Sequence, residues 1–253
     1  MAFQEDEMVY LEDVSGKRYW FKMSFGMIKV PSLGSVDGSK FKDSEDGSII
    51  SIAGAEFTIF RPGVIELIES LDRGAQIITP KDTAPILLNC DVKSGITVLE
   101  VGAGSGGLTT ALLNAVAPSG KVITVELKEE HAKKARRNIS RTGMDELWEC
   151  VIGDAKDAEF DGTADVLTMD MPDPWLALDN MLPHLRSGGR ICIYVPNINQ
   201  LESSVLALRE RNFVGVKASE TMNREMEVHH GGVRPSFEML GHTGYLIFGR
   251  KRS

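Results

Sequence analysis

The stretch VLEVGAGSGG, from Val98 to Gly107, decides the fold. Apolar residues lead into four glycines, a pattern typical of a strand that runs into a tight turn and then a helix. Gly102, Gly104 and Gly107 fit the spacing G-x-G-x-x-G. Glycine lets a ligand approach the backbone closely, and amides at the start of the following helix point at that ligand. The stretch therefore predicts a nucleotide site but leaves the nucleotide open, because several enzyme classes share this spacing.

The chain that follows Gly74 alternates between strand-like and helix-like segments. The runs ITVLEV, KVITVEL, WECVIGD, ADVLTMDM and GRICIYV read as strands, and HTGYLIFGRK reads as a last one. Between them, segments such as GGLTTALLNAVA and EEHAKKARRNI carry apolar residues at helical spacing. This alternation predicts an α/β fold with a mostly parallel sheet that is covered by helices on both faces.

The first part of the chain lacks helical periodicity. MVYLEDVSGKRYWFKM predicts two strands around a turn at Ser15–Lys17, and GSIISIAGAEFTIF has strand-like β-branched content. A short helix from Val64 to Leu71 marks the boundary. We therefore predict a small β domain at residues 1–65 and the α/β domain at residues 66–253.

Composition bounds the class of protein. The 253 residues are 42% hydrophobic and 25% charged, as in ordinary soluble domains. A membrane-spanning run and a signal pattern are both absent from the sequence, so we expect a cytoplasmic protein without a membrane partner. Three distant cysteines indicate free thiols and give no metal-binding pair. The net charge of −8 argues mildly against a nucleic-acid partner, although a local basic patch can coexist with it.

Three acidic residues stand at or next to the ends of successive strands. Glu100 precedes Gly102 by two residues, where an acid suits a cationic ligand better than a pyrophosphate. Glu126 ends the next strand and can accept hydrogen bonds from ribose hydroxyls, and Asp154 can accept one from an adenine amino group. These ends meet at one edge of a parallel sheet. The set favours S-adenosylmethionine as the ligand; ordinary acids at a solvated rim are the alternative.

A fourth acid opens the segment DMPDPW. Asp170 ends its strand, and Pro172, Pro174 and Trp175 follow. The prolines fix the backbone and donate no hydrogen bond, so the turn beside the carboxylate is suited to hold an aromatic base. The alternative is a stiffened connection to the next helix.

With these segments in view, residues from about Gln76 to Lys251 resemble the tRNA (adenine-58-N1)-methyltransferase family. The resemblance rests on the segments QIITPKD (76–82), VLEVGAGSGGLT (98–109), DMPDPW (170–175), GRICIYVP (189–196) and GHTGYLIFGRK (241–251). It implies a Rossmann-like class I methyltransferase with a seven-stranded, mostly parallel sheet. It also implies a homotetramer and transfer of a methyl group from S-adenosylmethionine to N1 of an adenine in tRNA.

The resemblance also implies roles for particular residues. Asp170 and Tyr194 would be catalytic. The cofactor would be held by Gly102, Gly104, Ser105, Gly106, Gly107, Leu108, Glu126, His131, Asp154 and Asp170. One position departs from the family: many members have an aromatic residue or histidine where this chain has Thr79. Threonine cannot stack on a base, so the target adenine, at position 58 or next to it, stays open.

Some residues have a structural explanation beside the functional one. The basic run from Lys133 to Arg141 could grip RNA phosphates or form a solvated helix face. Asp82 precedes a helical stretch and could be its N-cap instead of a cofactor contact. His242 is equally suited to a substrate or subunit contact and to a turn.

Three rival functions remain. They are another methyltransferase such as a protein isoaspartyl type, a non-catalytic RNA-binding partner subunit, and a dinucleotide-dependent oxidoreductase. DMPDPW and the GHTG segment argue against the first. The presence of Gly102, Gly104, Glu126 and Asp170 argues against the second, because an inactive subunit has no need of a cofactor pocket.

Overall fold

The computed structural model describes residues 2–72, 74 and 76–253. The amino-terminal part is made of short antiparallel strands. They are β1 (Met8–Asp13), β2 (Arg18–Lys22), β3 (Met27–Val30), β4 (Gly34–Asp37), β5 (Ile49–Ile52) and β6 (Ala55–Phe60). Four of them form a sheet in the order β2-β1-β6-β5, and β3 pairs with β4. The predicted strands on either side of the turn at Ser15–Lys17 are confirmed as β1 and β2.

This part of the chain has its own hydrophobic core. Alternate residues of β1 and β6, including Val9, Leu11 and Ile59, are buried together with Phe41. The cluster comprises buried residues between Phe3 and Ile59. None of the described residues in this cluster comes from the α/β part of the chain, which supports the proposed division near residue 65.

The rest of the chain alternates between helices and strands. The helices are α1 (Val64–Glu69), α2 (Pro80–Asn89), α3 (Gly107–Val116), α4 (Glu129–Ser140), α5 (Pro174–Met181) and α6 (Ile198–Glu210). The strands are β7 (Thr97–Val101), β8 (Lys121–Glu126), β9 (Trp148–Ile152), β10 (Ala164–Asp170), β11 (Leu185–Val195), β12 (Phe213–Glu220), β13 (Met226–His229), β14 (Gly232–Pro235) and β15 (Tyr245–Lys251).

Seven of these strands form one sheet in the order β12-β15-β11-β10-β7-β8-β9. Only β15 runs against the other six strands of this sheet, because it pairs antiparallel with both β11 and β12. The predicted α/β class and the mostly parallel, seven-stranded sheet are confirmed. Sequence reasoning missed β12 and the hairpin formed by β13 and β14, which connects β12 to β15.

Helices cover both faces of the large sheet, as predicted. Apolar residues of α2, α3 and α4 pack with Val98, Val122 and Val166 on one face. On the other face α5 and α6 pack against Leu99, Ile123 and neighbouring residues of the sheet. Strand residues alternate between the faces, so the central strands are buried on both sides, whereas the edge strands β9 and β12 are partly exposed.

None of the helices formed by the described residues has both the length and the apolar character needed to cross a bilayer.

Candidate active site

A cavity of about 330 Å3 opens at the carboxyl edge of the large sheet. Its size falls within the range of small-molecule sites, roughly 300–1,000 Å3. The glycine turn, the ends of β8 and β10 and the start of α4 surround it. Its lining includes Gln76, Gly102, Gly104, Glu126, Leu127, Lys128, His131, Gly153, Asp154, Asp170, Met171 and Pro172. The structure thus brings together six of the predicted site residues: Gly102, Gly104, Glu126, His131, Asp154 and Asp170.

The glycine turn is shaped by close contact with β10. Gly102 has a φ of 93°, and a Cβ placed there would lie 2.3 Å from the carbonyl oxygen of Asp170. Only glycine permits both the conformation and this approach. Ser105 and the following residues to Leu108 are buried behind the turn and do not line the cavity. The Ser105 hydroxyl accepts a hydrogen bond from the amide of Gly74 at 3.0 Å.

Glu126 holds the turn in place. One carboxylate oxygen accepts hydrogen bonds from the amides of Ala103 (2.8 Å) and Gly104 (3.2 Å). The other accepts one from the amide of Lys128 at 2.8 Å and lies 3.6 Å from Nδ1 of His131. The side chain is only 5% exposed, yet it reaches the cavity. Glu126 therefore has a structural task that the sequence did not indicate, and its oxygens keep lone pairs for a ligand hydroxyl.

Glu100 lies beneath the cavity, not in its wall. It is 1% exposed and accepts hydrogen bonds from the hydroxyls of Thr109 and Thr124, both at 2.7 Å. Its other oxygen, Oε1, has no hydrogen-bond partner within the described ranges. Burial raises the pKa of Glu100 to about 7, and the nearby charges of Asp170 and Glu126 add to the shift. Glu100 can thus act on a cationic ligand through its electric field only, because the cavity wall separates them.

Asp170 is the most exposed of the acids that line the cavity. Its side chain is accessible to solvent, but the surrounding walls and the charge of Glu126 raise its pKa to about 6. Met171 and Pro172 continue the lining beside it. Trp175 instead packs against the hydrophobic core under α5. The carboxylate of Asp170 is therefore bordered by an apolar surface that a flat ring could contact.

Tyr194 lies next to Asp170 in the sheet, because the two residues are partners in the pairing of β10 with β11. Its hydroxyl donates to the carbonyl oxygen of Thr243 at 2.7 Å, and its ring fills the space above Gly244. Burial and the charge of Asp82 raise its pKa to about 12. Tyr194 is 8% exposed and does not line the cavity. Its position beside Asp170 is the observation that supports its proposed catalytic role.

The N-cap explanation for Asp82 is wrong. Helix α2 has Thr79 as its N-cap, and Asp82 lies one turn in, with 0% exposure. Its carboxylate accepts hydrogen bonds from Thr79 (3.0 Å) and Thr243 (2.7 Å) and pairs with Lys81 at 2.9 Å. A buried carboxylate needs such partners. Asp82 thus joins the segment QIITPKD to the segment GHTG, which also holds Tyr194.

Sequence reasoning missed the residues that follow the strand-end acids. Leu127 comes directly after Glu126, lines the cavity and is 63% exposed. Lys128 lies beside it, and Gln76 faces the same space. The sequence did contain a signal for Leu127, because it places a large apolar residue directly after a strand-end acid. An exposed leucine beside a ligand site supplies contact area for the ligand.

The basic run on α4 is largely engaged with the protein itself. Lys133 pairs with Glu129 at 2.8 Å, and the Arg136 guanidinium lies over the ring of Trp148. Arg141 donates to the carbonyl oxygen of Ser70 at 3.1 Å. His242 is held between Glu220 and the Pro196 carbonyl oxygen, and the hydrogen bond with Glu220 raises its pKa. These contacts support the structural interpretation of both features.

Known proteins are similar to this chain in sequence and in fold. The chain is 34% identical to a protein of Methanocaldococcus jannaschii named tRNA (adenine(57)-N(1)/adenine(58)-N(1))-methyltransferase TrmI, with 95% of this chain and 93% of that protein covered. A crystal structure of tRNA (m1A58) methyltransferase TrmI from Aquifex aeolicus matches with a TM-score of 0.80 and 28% identity, over 100% of both chains.

A crystal structure of a SAM-dependent O-methyltransferase from Thermotoga maritima matches with a TM-score of 0.87 and 29% identity. The match covers 100% of this chain and 95% of that one. The model of the tRNA methyltransferase complex GCD14 subunit family matches residues 66–233, which contain the whole cavity. The chain therefore belongs to that family of tRNA methyltransferase subunits.

Proposed function

We propose that this protein transfers a methyl group from S-adenosylmethionine to N1 of an adenine in tRNA, at position 58 of the T loop or next to it. One observation carries the proposal: Asp170 opens into the cavity that Glu126 and the glycine turn enclose, beside the apolar Met171 and Pro172. The names of the M. jannaschii and A. aeolicus relatives supply the acceptor.

The cavity suits the cofactor. Glu126, Asp154 and Asp170 line it and Glu100 lies beneath, whereas Lys128 is the lysine in its wall. This excess of carboxylates favours a ligand that carries an ammonium and a sulfonium over a pyrophosphate. Leu127 offers an apolar side chain, and Gly102 offers open backbone, to an adenosine group. When bound there, S-adenosylmethionine supplies an electrophilic methyl group.

The protein has little acid–base work to do in this reaction. Adenine N1 has a free lone pair at neutral pH, and methylation makes the ring cationic. The ionised carboxylate of Asp170 would accept a hydrogen bond from the exocyclic amine and stabilise the positive charge that develops. Tyr194, held by Thr243 and paired with Asp170 across the strands, would act by keeping Asp170 in position. Alignment of the reacting atoms in the cavity would supply most of the acceleration.

The substrate must change shape to reach this site. N1 lies on the pairing edge of adenine, so the base has to leave its stack before Asp170 can contact it. Flipping costs a few kcal/mol, and contact of the base with the apolar Met171 and Pro172 would offset part of that cost. Thr79 donates its hydroxyl to Asp82, so its side chain serves the protein here.

We further propose a homotetramer in the cytoplasm. Support for assembly comes from the segment that joins β12 to β15, where Met222, Met226, Val228, Val233, Phe237 and Leu240 are all exposed. Exposed apolar surface of this kind is typical of protein contacts. The cysteines of the described chain are free thiols, as is usual in reducing compartments. Light scattering would give the subunit number directly.

The test is mass spectrometry of nucleosides after unmodified tRNA has been incubated with the protein and S-adenosylmethionine. We expect 1-methyladenosine, and its absence would refute the proposal. Formation of 2′-O-methylated nucleosides instead would show that oxygen is the acceptor. A tRNA with adenine 58 replaced by guanosine is the control for position, and residual 1-methyladenosine would then reveal the neighbouring adenine.

A further inference from the structure

A group of cationic side chains lies at the amino edge of the large sheet, opposite to the proposed methylation site. Arg186 and Arg190 come from the start of β11, Arg250 comes from the end of β15, and Lys93 precedes β7. With Asp91 and Asp165 they line a small cavity of about 90 Å3. We call the three arginines and Lys93 the arginine cradle.

Two of its members face each other across a pair of strands. Arg190 and Arg250 are direct partners in the antiparallel pairing of β11 with β15. Arg190 donates to the carbonyl oxygen of Asn89 (2.8 Å), and Arg250 donates to that of Gly188 (3.1 Å). No carboxylate in residues 2–72, 74 and 76–253 forms a salt bridge with either. Lys93 lowers the pKa of Asp91 and the charge of Arg190 adds to that shift, but Asp91 forms its salt bridge with Lys93. Like charges directly opposite each other on neighbouring strands are unfavourable unless an anion lies between them.

The guanidinium groups of Arg186 and Arg250 converge on one point, and Arg190 lines the same cavity. That point is the place that a Cβ on Gly188 would take. Nη1 of Arg186 lies 3.6 Å from it and Nη2 of Arg250 lies 3.8 Å from it. Gly188 has no side chain to fill the space, so the donors border an open volume. Arg186 directs its Nε to Asp165 at 2.6 Å, and its Nη1 borders the cradle while also donating to the carbonyl oxygen of Ser187 at 3.1 Å.

The charges do not balance. Lys93 pairs with Asp91 at 2.8 Å and Arg186 pairs with Asp165. Arg190 and Arg250 therefore leave two positive charges in excess, on a chain whose net charge is −8. Guanidinium groups bind tetrahedral oxyanions through pairs of parallel hydrogen bonds. Free phosphate can carry two negative charges and would balance the excess, whereas a backbone phosphate of an RNA carries one and would halve it.

We propose that the arginine cradle binds a phosphate group. The ligand is either free inorganic phosphate or a backbone phosphate of an RNA. The volume of the cradle fits a single tetrahedral oxyanion, and the carbonyl oxygens of Asn89 and Gly188 orient two of the arginines toward it. The inference rests on the charges of this edge and not on the proposed methylation, which occurs at the other edge.

The first measurement is the melting temperature in sodium phosphate against sodium chloride at equal ionic strength. We expect a saturable rise with phosphate for the natural protein, because a ligand stabilises the state that binds it. The variants R250Q and R190Q/R250Q should lose this rise. Arg209 lies exposed on α6, away from the cradle, so R209Q removes the same charge and should keep it. R250Q changes an exposed side chain, so it remains informative if the double variant fails to fold.

The second measurement identifies the source of the phosphate. Binding of tRNA is titrated at several salt concentrations for the natural protein, R250Q and R209Q. If the cradle holds an RNA phosphate, R250Q should weaken binding by about tenfold, the loss of roughly one charge-assisted contact. It should also lower the slope of log K against log salt by roughly 1, because about one counterion fewer is released. Unchanged tRNA binding with a lost phosphate response would assign the cradle to free phosphate.

The proposal is overturned if R250Q and R209Q behave alike in both measurements. Failure of methylation with a normal phosphate response would instead count against the proposed function and leave the cradle standing.

Discussion

The two edges of the large sheet carry opposite charges. At the carboxyl edge, Glu126 and Asp170 open into the cavity and Glu100 lies just beneath it. At the amino edge, arginines surround a smaller opening. The carboxyl edge restrains its acids with backbone amides and threonine hydroxyls, and burial raises two of their pKa values. At the amino edge, neither Arg190 nor Arg250 has a salt-bridge partner in the part of the chain that the structure describes. The contrast teaches that one scaffold can prepare a cation site and an anion site at opposite ends of the same strands.

The largest effect is expected from a substitution of Asp170, at the carboxyl edge. Asp170→Asn should lower kcat for tRNA methylation by about 100-fold or more, as expected when one preorganised electrostatic contact to the transition state is lost. Since the ionised carboxylate acts and its pKa is raised to about 6, activity of the natural protein should fall as pH drops through 6. Initial rates across pH measure both. Asp161→Asn changes an exposed acid outside the cavity and is the control. Full activity of Asp170→Asn with the cofactor bound would contradict this role.

The raised pKa of Glu100 predicts how the free energy of unfolding depends on pH. Its pKa is about 7 in the folded protein and 4.5 in its ordinary state, so the folded chain keeps a proton that the unfolded chain loses. The free energy of unfolding should therefore decrease as pH rises from about 4.5 to 7, by about 3 kcal/mol from this group. Urea titrations at several pH values would show the decrease, and Glu100→Gln should remove that part of it. Glu149→Gln alters an exposed glutamate and should leave the curve as it is. Parallel curves for Glu100→Gln and the natural protein would disprove the assignment.

A substitution of Gly102 tests how much stability depends on the close approach of β7 and β10 at the carboxyl edge. Gly102→Ala places a Cβ 2.3 Å from the Asp170 carbonyl oxygen in a left-handed backbone conformation, so β7 and β10 must separate. We expect a loss of roughly 2 kcal/mol or more in the free energy of unfolding, measured with urea. Gly16 has a similar φ of 81° and nothing within 4 Å of a Cβ, so Gly16→Ala isolates the conformational part, about 1 kcal/mol. Equal losses for both variants would show that the close approach to β10 is unimportant.

The smallest effect is expected at the amino edge. In buffer of low ionic strength without phosphate, Arg250→Gln should raise the free energy of unfolding by about 0.5 kcal/mol, because it removes an uncompensated like-charge pair. Arg209→Gln, with no such partner across a strand, should leave it nearly unchanged. Chemical denaturation of both variants beside the natural protein measures the difference. A decrease for Arg250→Gln would mean that the pair is compensated and would weaken the contrast between the edges.

Much of the fold and part of the site could be predicted from the sequence. Strands, helices and the glycine turn follow from spacing over a few residues, which is where side-chain periodicity acts. The acids Glu126, Asp154 and Asp170 could be placed at one edge because parallel strands end together. The cofactor contacts predicted for Ser105 to Leu108 stay a prediction, and periodicity alone could not show that the turn buries these residues behind the cavity. Sequence reasoning failed for Asp82 because its partner Thr243 lies 161 residues further along the chain.

The sequence by itself determined an α/β protein with a nucleotide turn and acids at its strand ends, because these features are local. Only the tertiary structure decided which of those acids meet the cavity. Glu100 turns under the sheet toward Thr109 and Thr124, whereas Asp170, also at a strand end, opens into the site. The arginine cradle, too, exists only through the pairing of β11 with β15, whose partners Arg190 and Arg250 are distant in sequence. Strand alternation assigns a side chain to a face, but register and packing decide what that face meets.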